Sequence, residues 1–263
     1  MGAKRRAWVN RVLVALSVAL GLGLVLWLPG ISHWEKLALL ALAAVVGGLV
    51  AFREIPAFDP LGRIRWRLPR QKARACAITF DDGPSRDTAR VLEILGRYQV
   101  KATFFVLAGN ARRHPDVLRA VAAQGHTVAI HGMTHKKLHA ASEDQIENEL
   151  SSAIRELSEL GVPPARLYRT PHGLKNAAVF RVARRLGCQL WAWSRGIWDT
   201  DRPAPAVLVN RATRFACAGM VLLLHDGRGD EERPDIAPML AALPSIIERL
   251  RASGFSFMTL DKA

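Results

Sequence analysis

The stretch AITFDDG (77–83) ends an apolar run on two adjacent carboxylates, Asp81 and Asp82. Two like charges side by side cost free energy unless water or a cation meets them. The pair is therefore either a solvated turn or a division of labour, one carboxylate holding a metal while the other moves a proton. A second stretch, HGMTHKKLH (131–139), sets His131 and His135 four residues apart. On a helical turn that spacing points both imidazoles the same way, within reach of one cation. A third stretch, LLLHDG (222–227), puts His225 and Asp226 at the end of another apolar run. Alone, an HxxxH pair is a weak sign of metal. With a DD turn and an HD turn beside it, two imidazoles and one carboxylate describe a catalytic Zn2+-type site that leaves positions open for water and substrate.

Such residues need elements to bring them together. From residue 75 onward, short apolar runs alternate with amphipathic stretches of helical length. The pattern predicts strands at 76–80, 102–107, 127–130, 167–169, 189–193, 220–224 and 255–259, with helices at 87–98, 115–124, 142–160, 175–186, 204–215 and 238–252. Ser142 with Gln145 reads as a capping box, and Gly125, Gly161, Gly187 and Gly254 as helix stops. Alternation of this kind predicts an α/β fold, specifically a distorted (β/α) barrel of about seven parallel strands. In such folds chemistry gathers at the carboxyl ends of strands. Asp81 and Asp82 follow the first predicted strand, His131 the third, Arg169 the fourth, Asp199 the fifth, and His225 with Asp226 the sixth. Scattered surface polar residues would not all fall at one end.

The first 74 residues have a different character. Residues 12–28 and 37–52 are uncharged apolar runs separated by PGISHWEK, with Trp27 and Trp34 where interfacial aromatics are expected. The pair predicts an N-terminal transmembrane hairpin over 1–52, in preference to a cleaved signal peptide, because a second apolar run follows directly. Residues 53–74 read as a basic juxtamembrane linker and 75–263 as the catalytic domain. Basic residues flank both outer ends, Lys4, Arg5, Arg6 and Arg11 before the first run and Arg53 to Arg74 after the second. The positive-inside rule then predicts a multi-pass cell-membrane protein with a cytoplasmic catalytic domain. The net charge of +14 sits largely in these flanks and fits anionic lipid head groups. No nucleic-acid motif interleaves aromatics with these arginines, so nucleic acid is not an expected partner. The three cysteines, Cys76, Cys188 and Cys217, form no CxxC and read as small buried apolar residues.

The ordered set TFDDG (79–83), HGMTH (131–135), RTPHG (169–173), an Asp-bearing loop after WAW (191–193) and LLLHDG (222–227) resembles the polysaccharide deacetylase family, metal-dependent N-deacetylases of the carbohydrate esterase type. The resemblance spans roughly residues 75–260. It implies that Asp82, His131 and His135 bind a divalent metal, Zn2+ first and Co2+, Ni2+ or Mn2+ as alternatives. It implies that Asp81 is the general base, His225 the general acid and Arg169 the residue that orients Asp81 and keeps it ionised. A backbone N–H near His172 would join the metal in stabilising the oxyanion.

Two motifs depart from the pattern. His172 stands where an aromatic usually follows the proline of the third motif. In the fourth, the usual Asp-Trp order is reversed in GIWDTDRP, so Asp199 takes the Asp position with Asp201 as rival, and Trp198 supplies an apolar wall. Trp191 and Trp193 alternate as on a strand, one facing the core and one lining the site. The expected substrate is an N-acetylated amino sugar of a glycan, glycolipid or lipid-linked saccharide. A deformylase, an O-acetyl esterase, and a non-catalytic glycan- or lipid-binding membrane protein are the competing expectations.

Overall fold

The computed structural model describes residues 30, 32–54, 59, 61–69 and 74–263. It begins with helix α1 (His33–Glu54) and strand β1 (Ile64–Arg65). The main body follows: β2 (Ala75–Asp81), α2 (Thr88–Arg97), β3 (Thr103–Leu107), α3 (Ala108–Arg113), α4 (Pro115–Ala123), β4 (Thr127–Gly132), α5 (Glu143–Glu159), β5 (Leu167–Tyr168), α6 (Ala177–Arg185), β6 (Gln189–Trp191), β7 (Arg195–Gly196), α7 (Pro205–Thr213), β8 (Met220–His225), α8 (Ala237–Ala252) and β9 (Ser256–Phe257).

Every pairing of these strands is parallel. The sheet has nine strands among the described residues, in the order β1-β6-β5-β4-β3-β2-β8-β7, with β9 beside β2. It is an open α/β half-barrel, consistent with a (β/α) barrel. The strands read as continuous apolar runs because helices cover one face and the barrel interior the other. All seven residues of β2 and all five of β3 are buried. Ile78, Phe80, Phe104 and Ile130 share one core cluster with Ile146 and Leu150 of α5 and Ile246 and Leu250 of α8, all four of which are fully buried. The capping box starts α5, with Ser142 Oγ accepting from Gln145 N and Gln145 Oε1 accepting from Ser142 N.

The structure corrects the membrane expectations. Among the described residues, no helix is long and apolar enough to cross a membrane. The run at 12–28 lies outside the described residues. The run at 37–52 lies within α1 and covers about 16 residues, which rise only ~24 Å and fall short of a hydrocarbon core roughly 30 Å thick. The multi-pass placement, and with it the cytoplasmic orientation derived from the flanking charges, loses its basis. Part of the stretch read as a linker is also built into the fold. In it, β1 pairs with β6, Arg67 bridges Met220, and Leu68 N donates to Gly219 O at 2.9 Å. This arm spans the gap between the two open sides of the sheet at one end.

Candidate active site

The parallel register of β2 and β8 sets Asp81 opposite His225, so two groups suited to moving protons start on neighbouring strands about 4.8 Å apart. The two adjacent carboxylates then part. Asp81 is the last residue of β2, whereas Asp82 takes φ 72, a left-handed conformation that Asp tolerates better than most residues. The turn is built by close approach. A Cβ at Gly227 would lie 2.3 Å from Asp82 O, and one at Gly83 2.0 Å from Asp226 Oδ2. At Gly227 the contact is with backbone, so only glycine fits there.

Asp81 faces the buried guanidinium of Arg169, whose Nη1 donates to Asp81 Oδ1 at 2.7 Å and to Thr79 Oγ1 at 2.8 Å. Arg169 Nη2 donates to Ala192 O at 2.9 Å, and the Phe105 ring lies 4.0 Å from the guanidinium carbon. Burial pulls the Arg169 pKa down and Asp81 opposes that pull. A buried ion pair is helped by extra hydrogen bonds to its remaining polar atoms; Thr79 and Ala192 supply two of them, while Arg169 Nε is buried without one. One oxygen of Asp81 is thus occupied, and the other, Oδ2, points toward His131 Nε2, 3.9 Å away.

Asp82 Oδ1 lies 3.2 Å from His131 Nε2 and 3.1 Å from His135 Nε2. Burial would raise its pKa, and the two imidazoles overcome that and hold it well below the usual carboxylate range. His131 is near the end of β4 and His135 in the loop beyond it. The spacing of four therefore spans a strand end and a turn at Gly132 (φ 116), where a helical turn was expected. His131 Nδ1 is 2.8 Å from Arg169 O, which fixes the ring so that Nε2 faces the cluster. Asp82 Oδ2 accepts from Gly229 N at 2.8 Å, and the Asn110 amide donates to both Asp82 O and Gly229 O.

These atoms fit a metal. One ligand atom from each of Asp82, His131 and His135 lies within 4.8 Å of the other two. Asp82 Oδ1 is buried and makes no hydrogen bond of acceptable geometry, an orphan that a cation would satisfy. Two imidazole nitrogens and a carboxylate suit Zn2+ and its first-row neighbours.

His225 is held by a carboxylate. Asp199 Oδ1 is 2.9 Å from His225 Nδ1, and Asp199 Oδ2 accepts from His225 N at 2.7 Å. Burial works to lower the His225 pKa, but Asp199, with Asp82 and Asp81 behind it, raises it to about 9. The ring is therefore protonated at neutral pH. Of the two rivals, Asp199 is buried against His225 and Asp201 is exposed. Asp226 is also buried, accepts the Thr88 hydroxyl at 2.6 Å and has its pKa pushed up to about 7 by burial; it braces the DDG turn rather than opening onto the cleft.

The remaining predicted residues lie around this centre. His172 is exposed in a left-handed conformation (φ 58) with its ring centroid 4.2 Å from that of His135. Trp193 is the half-buried member of its pair, 5.6 Å from the Arg169 guanidinium, while Trp191 is buried in the interior. Trp198 is 47% exposed, also left-handed, with the Arg211 guanidinium over its ring. Sequence reasoning missed Thr79, Asn110 and Gly229. Thr79 and Gly229 lie inside or beside quoted motifs, but Asn110 carried no local signal.

A family model described as polysaccharide deacetylase matches residues 69–191. The chain is 33% identical over 207 residues to a peptidoglycan-N-acetylglucosamine deacetylase of Bacillus cereus, covering 78% of this chain and 94% of the relative. It is 35% identical over 192 residues to a chitooligosaccharide deacetylase of Rhizobium leguminosarum bv. trifolii, covering 70% and 89%. Among solved structures, the Bc1960 peptidoglycan N-acetylglucosamine deacetylase in complex with 4-naphthalen-1-yl-N-oxidanyl-benzamide superposes with a TM-score of 0.72 at 26% identity, covering 78% of this chain and 96% of that one.

Proposed function

The chain belongs to the polysaccharide deacetylase family, and from that premise we propose that it removes acetyl groups from N-acetylglucosamine units of a glycan such as peptidoglycan or a chitooligosaccharide, using one divalent metal, Zn2+ first, at Asp82, His131 and His135. The observation that carries this reading is the pairing of two differently compensated proton carriers around one ligand cluster. Asp81 is paired with the Arg169 guanidinium at 2.7 Å, and His225 has its pKa raised to about 9 beside Asp199.

A divalent cation held by Asp82, His131 and His135 would supply Lewis-acid chemistry there, polarising the acetamide carbonyl and making the attacking water more acidic. Asp81 Oδ2, the oxygen not engaged by Arg169, takes a proton from that water as its oxygen attacks the carbonyl carbon. Arg169 keeps Asp81 oriented through the contact at Oδ1. The carbon–nitrogen bond then breaks, and His225 Nε2 gives its proton to the departing nitrogen, leaving acetate and a free amine. Asp199 holds Nδ1 and keeps the ring charged for that step. The backbone at His172 and the rings of Trp193 and Trp198 line the approach to the cluster and orient the sugar.

The test is acetate and amine release by zinc-loaded protein from chitooligosaccharides and from peptidoglycan, set against O-acetylated and N-formylated sugars. Release of acetate with one equivalent of amine from the N-acetylated glycans is expected. Turnover confined to O-acetyl or N-formyl substrates would contradict the reading.

A further inference from the structure

Glu149 lies on α5, the helix packed against β4, and does not belong to the ligand cluster or the proton-carrying pairs. One of its oxygens nevertheless makes two hydrogen bonds to a single residue. Glu149 Oε1 accepts from the Thr134 hydroxyl at 2.8 Å and also from the Thr134 backbone N–H. Thr134 immediately precedes His135 in the loop joining the two imidazoles. The loop is folded tightly at this point: a Cβ on Gly132 would come 3.1 Å from Thr134 O and 3.3 Å from Glu149 Oε1, at φ 116. The other two ligands have supports of their own, His131 through Arg169 O and Asp82 through Gly229 N and the Asn110 amide. The corresponding tie for His135 runs through its neighbour Thr134 to Glu149.

We propose that Glu149 is a positioning residue for the metal cluster. By fastening Thr134 through main chain and side chain, it sets the place and direction of His135, so that three ligand atoms meet one cation. The proposal rests on the metal-site reading above and adds to it a residue that touches neither metal nor substrate. Groups that orient ligands from outside the coordination sphere commonly contribute about 10–100-fold to metal affinity.

The test measures Zn2+ affinity of the full chain by competition with a chromogenic chelator, in the parent and in Glu149→Ala, Glu149→Gln and Thr134→Val. Glu149→Ala is expected to bind zinc roughly 10–100-fold more weakly. Glu149→Gln keeps a carbonyl acceptor and should recover most of the loss, while Thr134→Val, which keeps the N–H and loses only the hydroxyl, should fall between. A carboxylate that only stabilises the helix would lower the melting temperature and leave zinc affinity unchanged. Should Glu149→Ala not fold, weaker zinc binding by folded Thr134→Val supports the proposal. Parent-like affinity in every folded variant overturns it, even if the parent deacetylates glycans. The expected affinity series in a parent that releases no acetate would instead uphold the fastening and sink the proposed reaction.

Discussion

At the residue scale, the site separates two pairs of charges that would otherwise oppose one another. Asp81 is compensated by a fully buried guanidinium and Asp82 by two imidazoles, so adjacent carboxylates of one sign can hold different tasks. His225 carries the clearest consequence for pH. Its pKa is raised to about 9, and the proton it donates in the proposed reaction is present while the pH stays below that value. Activity should therefore persist above the usual imidazole range and fall as His225 loses its proton. In Asp199→Asn the neighbouring anion is gone, and the alkaline limb of the pH–rate profile should move down by about 1–3 units. A limb at the same pH in parent and variant would mean that another group is the acid. The same shift has a sign in stability. A group whose pKa rises on folding stabilises the fold while protonated, so this contribution is complete below about pH 6.5 and is lost as the pH climbs toward about 9. Melting temperatures across that window should decline more in the parent than in Asp199→Asn.

At the scale of elements, the site depends on strand ends that approach too closely for any side chain but hydrogen. Gly227 follows the HD pair, and a Cβ there would lie 2.3 Å from the backbone oxygen of Asp82. Backbone cannot rotate away as a flexible side chain can, so Gly227→Ala should destabilise the fold by about 1–3 kcal/mol and displace Asp82 as well. Denaturant unfolding together with zinc affinity would show both losses; an unchanged midpoint would contradict the geometry. The predicted strands and main helices were legible because parallel strands and amphipathic helices leave strong periods. The two-residue strands β1 and β7 are too short to leave one. The candidate ligand cluster was legible because its members sit in compact motifs at or just beyond strand ends. Asn110 and Glu149 were not, because each reaches the site from a helix, where a single polar residue on a buried side resembles any other polar residue. The HxxxH spacing pointed to a helix and came from a strand end and a glycine turn.

At the scale of the whole molecule, the open half-barrel collects the ends of β2, β4, β5 and β8 around one cleft, while the arm carrying β1 fastens β6 to the start of β8. The N-terminal expectation took two apolar runs near the lower limit of length as just able to span a membrane. Length decides that question as much as hydropathy does, and among the described residues no helix meets both conditions. The basic excess of the chain is in part absorbed by the fold, as where Arg63 stacks on Phe180 and Arg74 on Phe255. The proposed reaction gives the architecture one hydrolytic centre with Asp81 as its base. The most direct measurement is the turnover rate for acetate release from an N-acetylglucosamine oligomer, compared between zinc-saturated parent and zinc-saturated Asp81→Asn. Asn cannot accept the proton of the attacking water, so the rate should drop by about 10²–10⁴-fold while zinc affinity stays within a few-fold of the parent. Equal rates in the two proteins would contradict the assignment of Asp81 and the account built on it.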